Sequence, residues 1–201
     1  MSLNPVEKLQ REHVNMGRVL ALIRLQLDQL ARHASLDFTL LSNSLYYMRK
    51  YPSVVHHPKE DLVFERLLQL GAPLEEEISQ LLRQHEEIYA LEDQLIELTL
   101  AAHDSGPSGI ARLLELGRLY LLTHSQHMQT EERTVFPMAL RRLKPRDWKR
   151  IHTQFAHIDD PLFGPKVEER YHHLYDFLIR SAAEEGYGLN LMNSSQRRKS
   201  A

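Results

Sequence analysis

His56-His57-Pro58-Lys59-Glu60-Asp61-Leu62-Val63-Phe64 and His127-Met128-Gln129-Thr130-Glu131-Glu132-Arg133-Thr134-Val135-Phe136-Pro137 both place a glutamate four residues after a histidine. In a helix that interval is just over one turn, so each pair projects from one face, about 5.4 Å apart along the axis. The flanking apolar residues recur at the same intervals. His56, Glu60, Val63, Leu67 and Leu70 form one series, and Leu113, Gly117, Tyr120, His124, His127, Glu131 and Val135 form the other. Both pairs therefore fall on the seam of an amphipathic helix that must turn toward a core.

Outward from these stretches the same periodicity continues. Val6, Leu9, His13, Met16, Leu20, Ile23, Leu27 and Leu30 predict a long first helix. Ser35 and Asp37 are suitable caps for a second, which runs through Phe38, Leu41, Leu45 and Met48. It should bend at Tyr51-Pro52, where proline removes a backbone donor, and then carry His56 and Glu60 to a stop at Gly71. Pro73 and the acidic run Glu75 to Glu77 suit the start of a third helix, with Leu74, Ile78, Leu81, His85 and Ile88 inward. The stretch from His103 to Gly109 reads as a loop, and the fourth helix follows it, kinked near its end at Pro137. Four long helices with short connections predict an all-α fold: an antiparallel up-down-up-down four-helix bundle over residues 1–143. A C-terminal helical extension packed outside the bundle is expected over residues 144–184. Its helices run from about Arg146 to His157 and from Val167 to Ala183, on either side of Asp159-Asp160-Pro161-Leu162-Phe163-Gly164-Pro165. From about Glu185 the polar sequence predicts a flexible tail.

The chain has 201 residues, a formal net charge of -2 and no cysteine. A disulfide framework and any thiolate metal site are thereby excluded, and a bound metal must take nitrogen and oxygen donors. The near-neutral charge gives no field for gathering nucleic acid or an anionic membrane. Met1-Ser2-Leu3-Asn4-Pro5 leads into charged amphipathic sequence and no uncharged span reaches membrane length, so the expected location is the cytoplasm.

Each of the four helices puts a histidine on its seam: His13, His56, His85 and His127, with Glu60 and Glu131 on two of them. Burying two carboxylates among leucines costs several kcal/mol per ion unless a counter-charge is present, and one or two dications would supply it. Imidazole binds several transition metals, whereas carboxylates suit harder ions and can bridge a pair. Four histidines with two glutamates therefore favour a dinuclear iron or manganese site, and the abundance of histidine favours iron.

Those two stretches, with Glu12-His13 and His85-Glu86 in order along the chain, resemble the bacterial haemerythrin-like, HHE cation-binding domains. The resemblance covers about Val6 to Leu143, and Asp159 to Gly164 is similar to an extension found in some members. It implies two non-haem iron ions, cycling between ferrous and ferric, with His13 and His56 on one and His85 and His127 on the other. Glu60 and Glu131 would bridge them, together with an oxo or hydroxo group. The sequence departs from the oxygen carriers of this family at Tyr89, where they place a further histidine. Tyr89 is then either a boundary aromatic or a group beside the metals that ligates ferric iron or donates to a bound peroxide. His57 and His124 are expected near the site, either hydrogen-bonding to the ligands or adding a further ligand, and His33 at the surface.

The functional expectation is a di-iron protein that binds or senses dioxygen, nitric oxide or peroxide. Two other readings use the same site: an enzyme, either a peroxidase or oxidase or an iron donor in repair of iron centres, and a regulatory module that responds to iron or oxygen and acts on a separate protein partner. The basic run Arg141, Arg142, Lys144, Arg146, Lys149 and Arg150 reads as a solvated face near helix ends. Glu169-Arg170-Tyr171-His172 has the spacing of ferritin-like iron sites but occurs once, whereas such sites need it on two helices.

Overall fold

The computed structural model describes residues 5–32, 36–102, 106–154 and 158–184, and among them all regular structure is helical. The expectations for Ser35, His33 and the tail beyond Glu185 lie outside the described residues. Helix α1 spans Pro5–Ala31 and α2 spans Phe38–Lys50. A π-helical turn, Pro52–His56, joins α2 to α3, His57–Gln69. Helix α4 spans Glu75–Leu100 and α5 spans Gly106–Thr130, and a second π-helical turn, Glu131–Val135, leads into α6, Phe136–Arg142. Helices α7, Pro145–Thr153, and α8, His172–Glu184, follow, the latter entered through a 3-10 turn at Glu169–Tyr171.

The local chemistry explains the boundaries. The Asp37 carboxylate accepts from the Leu40 N–H at 2.9 Å and caps α2. At the end of α3, Gly71 has φ 65°, and the Ala72 and Gly71 amides bond back to the Leu67 and Leu68 carbonyls, closing the helix with a left-handed glycine. The stretch Gly106 to Gly109 is helical rather than loop. Gly106 turns the chain at φ 59°, and Pro107 fits a first helical turn, where a missing N–H costs nothing. The distortions expected at Pro52 and Pro137 take the form of π-helical turns. The His57 amide bonds to the Pro52 carbonyl and the Phe136 amide to the Glu131 carbonyl, five residues back in each case. Each widened turn ends two residues before a proline, Pro58 and Pro137. Its ring has no N–H and would collide with the carbonyl one turn earlier, and the wider turn relieves that conflict.

Helices α1, α2, α4 and α5 close a ring of contacts, α1 with α2, α2 with α4, α4 with α5, and α5 with α1. Two apolar clusters fill it. One joins Leu27 and Leu30 of α1 to Leu40 and Leu41 of α2, Leu91 and Leu95 of α4, and Leu113 and Leu116 of α5. The other joins Val6 and Leu9 of α1 to Phe64 and Leu67 of α3, Ile78 and Leu81 of α4, and Val135 and Phe136 at the far end of the α5 path. Between the clusters lies a polar layer. Outside the ring, α7 packs on α3 through an Arg66 to Asp147 bond of 2.9 Å, and α8 packs on α2. Asp160 accepts from the Tyr47 hydroxyl at 3.0 Å and from the Leu162 and Phe163 amides, and Leu162 and Tyr171 are buried.

Candidate metal centre

The polar layer contains His13 from α1, His56 from the first π-helical turn, Glu60 from α3, His85 from α4, His127 from α5 and Glu131 from the second π-helical turn, all buried. They converge. On one side, His13 Nε2 and His56 Nε2 lie 3.2 and 2.9 Å from Glu60 Oε1. On the other, His85 Nε2 and His127 Nε2 lie 3.8 and 4.0 Å from Glu60 Oε2 and 3.2 Å from each other. Glu131 Oε2 completes the arrangement, 3.4 Å from His13 Nε2 and 3.3 Å from His127 Nε2. Glu60 thus faces both sides with different oxygens, and Glu131 reaches a histidine on each.

Several of these atoms are buried without a hydrogen-bond partner: His56 Nε2, Glu60 Oε2 and both Glu131 oxygens. Burying a carboxylate oxygen with nothing to accept is costly, and several such atoms aimed at one place are what a cation would satisfy. Donor atoms of His13, His56 and Glu60 lie within 4.8 Å of one another, and so do those of His57, Glu60, His85 and His127. These two buried groups could each hold a metal ion, with donors of the nitrogen and oxygen type alone.

Behind the donors stands a second set of carboxylates that the periodicity does not reveal. Glu12 accepts from His56 Nδ1 at 2.7 Å and is itself held by Lys59 at 2.9 Å. Glu132 accepts from His13 Nδ1 at 2.9 Å and from Gln10 at 2.7 Å. Asp61 Oδ1 lies 3.0 Å from His85 Nδ1, but out of line for a hydrogen bond. Each of these acids is the sequence neighbour of one inward donor, His13, Glu131 or Glu60, and serves a histidine from another helix. A carboxylate on the far nitrogen fixes a ring's tautomer and orientation and leaves Nε2 free toward the centre. His127 Nδ1 has no such partner.

His57 makes none of the hydrogen bonds that an orienting role would require. It is fully buried, neither ring nitrogen has a hydrogen-bond partner, and its ring lies 4.3 Å from that of His85 with 13° between the planes. His56 ends the π-helical turn and His57 begins α3, and both are buried in the interior. Tyr89 is partly buried and covers this side, its ring 5.6 Å from His57 and 6.2 Å from His85, with the Arg49 guanidinium over its outer face. Burial and the neighbouring carboxylates, Asp61 first, push its hydroxyl pKa up. His124 is buried beyond His57, its ring 6.2 Å away, and neither of its ring nitrogens has a hydrogen-bond partner. Next to it, buried Glu92 accepts from Ser53 at 2.7 Å and Tyr120 at 3.0 Å. Glu92 is another acid that seam counting passes over, and nothing in its spacing distinguishes it from a surface glutamate.

The electrostatics divide the centre. Burial works against charge at His56, but Glu60 and Glu12 outweigh it and raise its pKa to about 9. His13 is raised for the same reason, with the neighbouring carboxylates of Glu131, Glu132 and Glu60 overcoming burial. Glu60 is held low by His56 and His13 against the opposing effect of burial, whereas burial and the charge of Glu60 push Glu131 up. His57 and His127 are lowered, first by burial and also by neighbouring imidazoles, against the opposing charge of Glu60.

A layer of buried histidines and carboxylates, gathered from separate helical segments and able to hold cations, defines a helical cation-binding domain. The hemerythrin HHE cation binding domain family matches the chain over residues 4–139, and the protein belongs to that family. A comparison with curated proteins finds no match.

Proposed function

We propose that this protein holds two iron ions in the polar layer and binds or senses a small molecule there, namely dioxygen, nitric oxide or peroxide. The observation that supports this most directly is the convergence of six buried donors, several without any other partner, from four sides of the helical ring. In this reading His13 and His56 hold one ion, His85 and His127 the other, and Glu60 and Glu131 span both. Iron would supply a reversible one-electron couple and an affinity for diatomic oxygen species.

The remaining work falls to the chain. Glu12 and Glu132 orient His56 and His13. Phe136 stacks beside His13 and Phe64 beside His85, excluding water from both flanks. The same reading takes residues 1–143 as an antiparallel up-down-up-down bundle, because each apolar cluster pairs the start of one helix with the end of the next. Residues 144–184 form an extension on that bundle. No helix among the described residues is long and apolar enough to cross a membrane, and we take the cytoplasm as the working location.

Metal analysis of protein purified without added metal tests the first half, with iron near two per chain expected. Stopped-flow absorption of the reduced protein mixed with dioxygen, and separately with nitric oxide and peroxide, tests the second. An iron pair whose spectrum none of them changes would overturn the ligand-binding reading. Sustained turnover of peroxide would point to an enzyme instead.

A further inference from the structure

A neutral imidazole carries one donor and one acceptor, and a buried one ordinarily finds a partner for each. His57 has a partner for neither, although it is fully buried on the first turn of α3. Around it stand the rings of His56, His85, His127, His124 and Tyr89, at 4.3 to 6.2 Å between centroids. An orienting role would need His57 to hydrogen-bond a donor residue, and it makes no such bond.

Its position suits a different task. One ring nitrogen of His57 lies within 4.8 Å of a Glu60 oxygen and of a nitrogen from each of His85 and His127, and those three are also that close to one another. Donors about 2.1 Å from a shared first-row metal ion stand up to roughly 4.2 Å apart, so a small contraction would seat one cation among all four. The consecutive histidines at the end of the widened turn Pro52–His56 are both buried, His56 in the group with His13 and His57 in the group with His85 and His127.

We propose that His57 is itself a metal ligand, joining His85, His127 and Glu60 around the ion on the α4 and α5 side. The assignment rests on the metal-pair reading above and makes the two positions unequal. Three imidazoles serve one ion, while His13 and His56 alone serve the other.

The first test uses the unaltered chain. Protein labelled with 15N-histidine is stripped of metal, loaded with Zn2+, and its imidazole nitrogens are followed by NMR. Loading is expected to shift His57 together with His13, His56, His85 and His127. Shifts at those four with His57 unchanged would overturn the assignment.

The second test is His57→Gly, measured by Zn2+ and Fe2+ titration with and without added imidazole. One of the two ions is expected to bind at least about tenfold more weakly, and free imidazole to restore it. Two ions bound with parental affinities would overturn the assignment. A parent protein that takes up no metal pair would instead overturn the proposed function itself, so the two failures are distinguishable.

Discussion

The two halves of the polar layer share Glu60 and Glu131 and differ in almost everything behind them. Beside α1 and the first π-helical turn, His13 and His56 each give their Nδ1 proton to a carboxylate and face Glu60 with Nε2. Both are raised in pKa, so without metal this half carries protons as its counter-charge. Beside α4 and α5, His85 has only an out-of-line acid at its Nδ1, His127 has no partner there, and His57 has none at either nitrogen. His57 and His127 are lowered and stay neutral, with lone pairs available. One donor type, imidazole, thus becomes a proton store or a ready ligand according to whether carboxylates stand behind it.

The largest effect should come from removing the acid that both halves share. In the metal-free protein, Glu60→Ala leaves His13 and His56 facing each other without their common partner, at a cost of about 3–5 kcal/mol in denaturant unfolding. Metal analysis of the same variant should show loss of the paired ions. Full retention of both would mean that Glu60 does not join the halves.

Next is the pH dependence of the acid-backed half. Hydrogen bonds and charge from His56 and Lys59, outweighing burial, hold Glu12 at about 2, below its ordinary 4.5, while its partner His56 rises from 6.5 to about 9. A lowered acid contributes stability above its unfolded pKa, and a raised base contributes below its own. The pair's contribution to the metal-free protein is therefore full between pH 4.5 and 6.5. It is lost as pH falls through about 2 and as it rises through about 9. Glu12→Gln should lower the plateau by roughly 2–3 kcal/mol and flatten both limbs in thermal melts. Metal loading displaces the His56 proton, so the alkaline limb of the parent should disappear in the loaded protein.

Smaller effects should separate the halves. Glu132→Gln weakens the orientation of His13, and metal titration should show one ion bound about 10–100-fold more weakly, with the other unchanged. Asp61→Asn, at a partly exposed acid that contacts His85 off the hydrogen-bond line, should change affinity by less than about tenfold. Equal losses in these two variants would erase the distinction between an acid-backed and an unbacked half.

Much of this arrangement was legible in the order of residues. His13, His56, Glu60, His85, His127 and Glu131 all lie at seam positions, and the structure buries all six in one layer. Counting by threes and fours finds them because helix geometry alone decides which face they share. The Gly106 to Gly109 stretch misled the same method, since glycine and proline mark the entry to a helix as readily as a loop. Glu12, Asp61, Glu132 and Glu92 could not be separated from ordinary surface acids, because their partners belong to other helices and the pairing depends on how those helices are rotated.

By itself the sequence determined the long helices, their apolar faces and the inward placement of six histidine and glutamate side chains, since a period of 3.6 residues is a property of the local chain. Only the tertiary structure decided which carboxylate stands behind which imidazole. It also decided that His57 would turn inward beside His56. Each π-helical turn inserts one residue, which advances the face of the following helix by about 100°, and whether a chain accepts that shift depends on the packing around it.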